Sequence, residues 1–173
     1  MNAPVVVKEG EWSGYPWQLI AYPSTTDGLC FSVTAKRSTQ FGAVGAMNCA
    51  PFAGISRTAE TKASPDMTIT FLSGRAPGLL PTYIVGPVID KAVEVEIHFA
   101  NGQKMHVPTF GAPAPLKHIR FYATQIPDSA APKLRGEAEA FDWIAGRDKE
   151  GKTVACLAPM KSKDGVSPLS DCR

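Results

Sequence analysis

Apolar residues stand at every second position along most of the chain, in short runs broken by glycine, proline, asparagine or aspartate. That is the pattern of half-buried β-strands. The segments that carry it are APVVVK, WQLIAY, LCFSVTA, GISRTAET, MTITFLS, TYIVGPVI, AVEVEIHF, QKMHVP, KHIRFYATQI, GEAEAFDWIA and KTVACLA. They recur about every ten residues, a rhythm that predicts a mainly β protein built as a two-layer antiparallel Greek-key sandwich with at most one short helix. The stretch able to hold that helix is DSAAPKLRGEAEAFDWIAG. Its alanines and glutamates favour one, but Gly136 and the alternation running through Ala138 and Ala140 favour a strand, which is the expectation taken here.

The clearest segment is Ala92–Thr109. Val93, Val95, Ile97 and Phe99 alternate with Glu94, Glu96 and His98, so one face is predicted buried and the other wet. A two-residue Asn101-Gly102 turn would set Phe99 against Lys104 and Ile97 against His106, which the pleat forbids. A three-residue loop Ala100-Asn101-Gly102 instead pairs Phe99 with Gln103, Ile97 with Met105 and Val95 with Val107. It gives Gly102 a left-handed backbone and sets Glu96 opposite His106. A second hairpin is expected at Asp148-Lys149-Glu150-Gly151, a type I turn closed by glycine. Prolines 108, 113 and 115 mark TFGAPAPLK as a segment crossing between sheets. Residues 1–158 read as a single domain and 159–173 as an irregular tail.

Composition narrows the classes. The chain has 173 residues, of which 44% are hydrophobic and 20% charged, so it can bury a core without disulfides. The formal charge of +2 comes from basic and acidic residues spread evenly, which speaks against nucleic acid as a partner. No apolar run is long enough for a transmembrane helix. MNAPVVVKEG lacks the features of a signal peptide, so the expectation is either a cytosolic chain or one in which Met1 replaces a removed leader or anchor.

The four cysteines, Cys30, Cys49, Cys156 and Cys172, allow three connectivities. The sequence-local pairs Cys30–Cys49 and Cys156–Cys172 are expected, each closing a short loop without periodicity and contributing about 3 kcal/mol. Oxidised pairs place the chain in a secreted, periplasmic or cell-surface setting. Cys172 then ties the tail back. With Leu29, Phe31 and Val33 facing a core beside Trp17 and Leu19, Cys30 points outward with Ser32 and Thr34. There it staples the Lys36–Asn48 loop to the sheet.

Trp17, Leu19, Ala21, Tyr22, Gly28, Leu29, Cys30, a glycine-rich loop, Cys49 and the turn Asp148 to Gly151 together resemble uncharacterised bacterial Ig-like β-sandwich domains. The resemblance touches much of the chain and implies the Ig-like form of the sandwich, but no function. The chain departs from it at Ala50, where such domains often carry glycine, and in the long tail to Cys172.

Chemical motifs are sparse. No nucleophile elbow, S-x-x-K, H-E-x-x-H or Walker loop occurs, and the glycines of GAVGAMN and SGRAPG lack a strand-to-helix context. One constellation emerges from the hairpin register: Glu96, His98 and His106 share the wet face with Glu94 near, ligand types that suit zinc or copper. The competing reading is a polar outer face with a cross-strand Glu–His pair. His118 faces outward elsewhere. Trp12, Tyr15 and Trp17 in EWSGYPW are candidates to stack on a ligand or to cap a sandwich end, and Trp143 is expected in the core. The resulting expectation is a non-catalytic extracytoplasmic domain, without a cofactor, that binds a protein or surface ligand. The alternatives are a metal-binding protein or enzyme using the Glu/His face, and an inhibitor presenting the stapled loop Ala35–Ala50.

Overall fold

The computed structural model describes residues 3–36, 47–55, 67–130, 141–159 and 167–173. Three antiparallel sheets form, and they enclose two hydrophobic cores. Sheet I holds β1 (Val5–Trp12), β2 (Tyr15–Ser24), β3 (Gly28–Ala35) and β4 (Met47–Ala50) in that order. Sheet II runs β5 (Leu72–Ala76), β6 (Leu80–Ile89), β10 (Ile119–Gln125) and β9 (Phe110–Gly111). Sheet III runs β12 (Thr153–Leu157), β11 (Phe141–Arg147), β7 (Glu94–Phe99) and β8 (Lys104–Pro108). Among the described residues the one helical element is the single 3-10 turn Leu169–Asp171. The mainly β, antiparallel reading holds, and the layering is richer than the two sheets expected.

Sheet II gives one face to each core. Tyr83, Val85, Ile119 and Phe121 pack with Trp17, Leu19, Leu29, Phe31 and Val33 of sheet I. Ile84, Val88 and Tyr122 turn the other way, onto Val95, Ile97, Phe99, Phe141 and Ile144 of sheet III. A strand buried on both faces loses polar alternation, which is why β6 reads as the near-continuous apolar run LPTYIVGPVI.

The β7–β8 ladder pairs Val95 with Val107, Glu96 with His106 and Ile97 with Met105, and Gly102 adopts φ +87°. The three-residue loop and its register are therefore as parity requires. Val93 is the exception on its face: it precedes the strand and is 44% exposed. At the second hairpin Gly151 has φ +79° and its N–H bonds the Asp148 carbonyl, while Asp148 Oδ1 accepts from the Glu150 and Lys152 amides. The crossing segment also behaves as expected, since β8 ends at Pro108 in sheet III and β9 begins at Phe110 in sheet II. Arg120 pins the bend by donating to the Thr109 hydroxyl and carbonyl.

Both sequence-local cysteine pairs lie at disulfide distance. Cys30 stands directly opposite Cys49 in the β3–β4 ladder and outside the apolar core cluster, as its parity predicts, yet it is fully buried. The loop it was expected to hold lies, over residues 37–46, outside the described residues. So do residues 56–61 of GISRTAET and residues 131–140 of the helix-or-strand stretch, whose final part lies in the strand Phe141–Arg147. Cys156–Cys172 ties the C-terminal strap to the outer face of sheet III. There Trp143, Ala145, Cys156, Ala158 and Cys172 form a small apolar cluster of their own.

Candidate functional site: the outer face of sheet III

β7 carries Glu94, Glu96 and His98 on the face turned away from the core because Val95, Ile97 and Phe99 occupy the other. β8 adds Lys104 and His106 to that outer face, through the pairs His98–Lys104 and Glu96–His106. β11 supplies Trp143 and Arg147. A bulge at Asp142 lies between the pairs Phe141–Phe99 and Trp143–His98, so Phe141 enters the core while Trp143 goes outward. Trp143 is buried, but in the outer cluster beneath the strap. Its burial is as expected, though in a small cluster separate from the two larger cores.

These side chains lock into one unit. The His98 ring stacks on Trp143, centroid to centroid 3.4 Å at an interplanar angle of 22°. Its Nε2 lies 2.6 Å from Glu96 Oε1. Arg147 donates to the other oxygen, Oε2, from Nε at 2.9 Å and from Nη2 at 2.7 Å, and a further guanidinium nitrogen, Nη1, meets the Thr153 hydroxyl. The guanidinium also stands 5.8 Å from the Trp143 ring centroid. Burial by itself raises the Glu96 carboxyl. The hydrogen bonds from His98 and Arg147, together with their charges, outweigh that and hold it below the ordinary carboxylate range. Beside this half-buried triad, His106 Nδ1 lies 2.8 Å from Glu94 Oε1 in an exposed pair.

The three residues of the candidate metal constellation and the neighbouring Glu94 thus come together on one face but divide into two couples, Glu96 with His98 and Glu94 with His106. Among the described residues no group of three or more histidine, cysteine, aspartate or glutamate side chains is placed to hold a metal ion. Arg147 also puts a positive charge on Glu96, which opposes a cation there. With both oxygens engaged, Glu96 is an anchored acceptor.

The aromatic candidates lie in and against the core between sheets I and II. Trp12 and Trp17 are buried in the core between sheets I and II, stacked on each other at 4.2 Å, and Trp12 also stacks on Tyr83 at 5.4 Å. Tyr15 packs on that core from its edge. Ser13 and Gly14, with φ of 50° and 81°, make the tight turn between Trp12 and Tyr15, so EWSGYPW is a hairpin closing the sandwich end.

Sequence reasoning missed Arg147 and the outward turn of Trp143. One signal existed for the arginine: the acidic alternation of β7 calls for a cation on the neighbouring strand. Compared with known proteins, the chain matches no family model, no curated protein and no solved structure. No helix among the described residues is long and apolar enough to cross a membrane.

Proposed function

We propose that this protein is a disulfide-stapled, Ig-like binding domain of an oxidising, extracytoplasmic compartment, that it is not an enzyme, and that it engages a protein through the outer face of sheet III. The observation that carries the reading is the locked set Trp143, His98, Glu96 and Arg147, flanked by half-buried Glu94 and exposed Lys104 and His106. Side chains already fixed by stacking and charge-assisted hydrogen bonds lose little entropy on binding, and Trp143, itself buried, backs the His98 ring. Support for the compartment comes from the two cysteine pairs, since disulfides persist where thiols are oxidised.

The test places a photo-crosslinking residue at Lys104 in the full chain in its native host, with Gln18 on sheet I as the comparison position. A product of defined mass at Lys104 alone is expected. Equal labelling at both positions, or none at Lys104, defeats the reading. Mass analysis of the unreduced protein is expected to find both disulfides; free thiols in protein from its own compartment would exclude the oxidising setting.

A further inference from the structure

The tip of the β7–β8 hairpin is tied to the turn after β10 through a carboxamide. Asn101, exposed at the hairpin turn, accepts the Gln103 N–H on Oδ1 at 3.0 Å. Its Nδ2 donates to the Ser129 carbonyl and to Gln103 Oε1, each at 3.0 Å. A backbone donor and a backbone acceptor cannot exchange roles, so the Asn101 amide has one orientation only. Gln103 adds a longer bond, from Nε2 to Ser129 Oγ at 3.3 Å. Ser129 lies in the turn where the Ala130 N–H bonds the Pro127 carbonyl, and Ala130 enters the second core. Asn101 therefore latches a sheet III hairpin to the end of a sheet II strand.

The residue after Asn101 makes that carboxamide reactive. A peptide nitrogen can close on the side-chain carbonyl of a preceding asparagine, and glycine obstructs the approach least because it has no Cβ. At Gly102 the space a Cβ would take is open. In the reaction the Gly102 nitrogen bonds to Asn101 Cγ, the Cγ–Nδ2 bond breaks, and ammonia leaves with the Gly102 proton. Water, the only co-reactant, then opens the cyclic imide at either carbonyl. The product is aspartate, or the isoaspartate in which the chain runs through Cγ. In the folded turn the Gly102 N–H is bonded to the Phe99 carbonyl at 2.9 Å, so attack waits on local opening.

The product cannot restore the latch. An oxygen replaces Nδ2, meets the Ser129 carbonyl with no hydrogen to offer, and brings a negative charge. Isoaspartate also adds a carbon to the loop whose length sets the β7–β8 register. We propose that Asn101 is a site of spontaneous, irreversible deamidation, and that the modification releases the hairpin tip from the turn after β10. The inference is independent of what sheet III binds.

The full chain is aged in mildly alkaline buffer, both folded and in urea, and its peptides are weighed. The peptide holding Asn101 should gain about one mass unit, with conversion about tenfold slower in the folded chain. Asn48, which precedes Cys49 and donates to the Phe71 carbonyl, should stay unchanged. A folded chain still unmodified at Asn101 once the unfolded chain has converted fully overturns the site. Equal conversion at Asn48 overturns the role given to Gly102. Hydrogen exchange reads the latch separately. In Asn101→Asp, and in aged protein separated by its extra negative charge, the Gly102 and Ala130 amides should exchange about tenfold faster than in wild type, the effect of losing a hydrogen bond or two. Exchange unchanged in both proteins overturns the latch.

Discussion

The carbonyl of Thr70 shows how one missing hydrogen is replaced. The Thr70 N–H bonds the Pro87 carbonyl, so a regular antiparallel pair would return a bond from residue 87 to the Thr70 oxygen. Proline has no N–H to give. The Tyr122 phenol supplies the bond instead, at 2.8 Å, reaching across Gly86, its partner in the β6–β10 ladder. Gly86 makes room: a Cβ there would lie 2.0 Å from the Thr70 oxygen. Burial pushes the phenol pKa above its ordinary range, so it stays a donor. Tyr122→Phe should cost about 1–3 kcal/mol, because the buried carbonyl loses its partner, and urea unfolding reads this directly. An unchanged urea midpoint would refute the assignment. Glu96 gives a second prediction. Its folded pKa is depressed, so its contribution is present above the unfolded carboxyl range and is lost as pH falls through the folded value. Wild type should therefore lose stability between about pH 5 and more acid conditions, and Glu96→Gln should be less stable near neutrality with a flatter acid limb. An acid limb as steep in the variant as in wild type would place the acid sensitivity elsewhere.

Among the elements, the β7–β8 hairpin was legible residue by residue because four apolar positions and one glycine leave a single register that keeps one face dry. The β11 strand was not. Phe141 and Trp143 stand two apart and read as one face, but the extra residue at Asp142 breaks the period, and a bulge leaves no mark on hydrophobic alternation. The site inherits that gap, since Glu96, His98 and His106 were visible while the arginine and tryptophan that fix them were not. The strap is the other element whose role depends on a covalent bond. In Leu169–Asp171 no residue is buried, and Leu169 is 48% exposed. Ser167 accepts from the Ala158 N–H, and the Cys172 sulfur, which as a half-cystine has no hydrogen to donate, rests 3.4 Å from the Ile144 carbonyl. Cys156→Ser/Cys172→Ser should therefore free Ser167–Arg173 to exchange its amide hydrogens quickly and lower stability by about 3 kcal/mol. A strap still protected from exchange would show that packing alone holds it.

For the molecule as a whole, the decisive feature is that one sheet serves two cores. The alternating pattern announced β-strands and an antiparallel arrangement, but alternation assigns a residue only to one face or the other. It does not say that both faces of sheet II are covered; the near-continuous apolar run of β6 is the one trace of that in the sequence. Among the described residues, most strands at the sheet edges are short or broken. β9 has two residues, β4 has four, β1 and β5 carry register shifts, and β8 ends in proline. Cohesion consequently falls to β6 and β10, where Tyr83, Val85 and Phe121 face one core and Ile84, Val88 and Tyr122 the other. A perturbation of either core reaches the same two strands, so the cores cannot unfold independently. Leu19→Ala empties space in the core beneath sheet I, and Ile97→Ala does so beneath sheet III; both side chains are fully buried. Each substitution should cost about 2–5 kcal/mol and shift one common unfolding transition, with tryptophan fluorescence and far-UV circular dichroism changing together. Trp12 and Trp17 report on the first core, while Trp143 lies outside the second. If Ile97→Ala split the unfolding into two steps, with the Trp12–Trp17 stack outlasting sheet III, sheet II would be a passive divider between two separately stable halves.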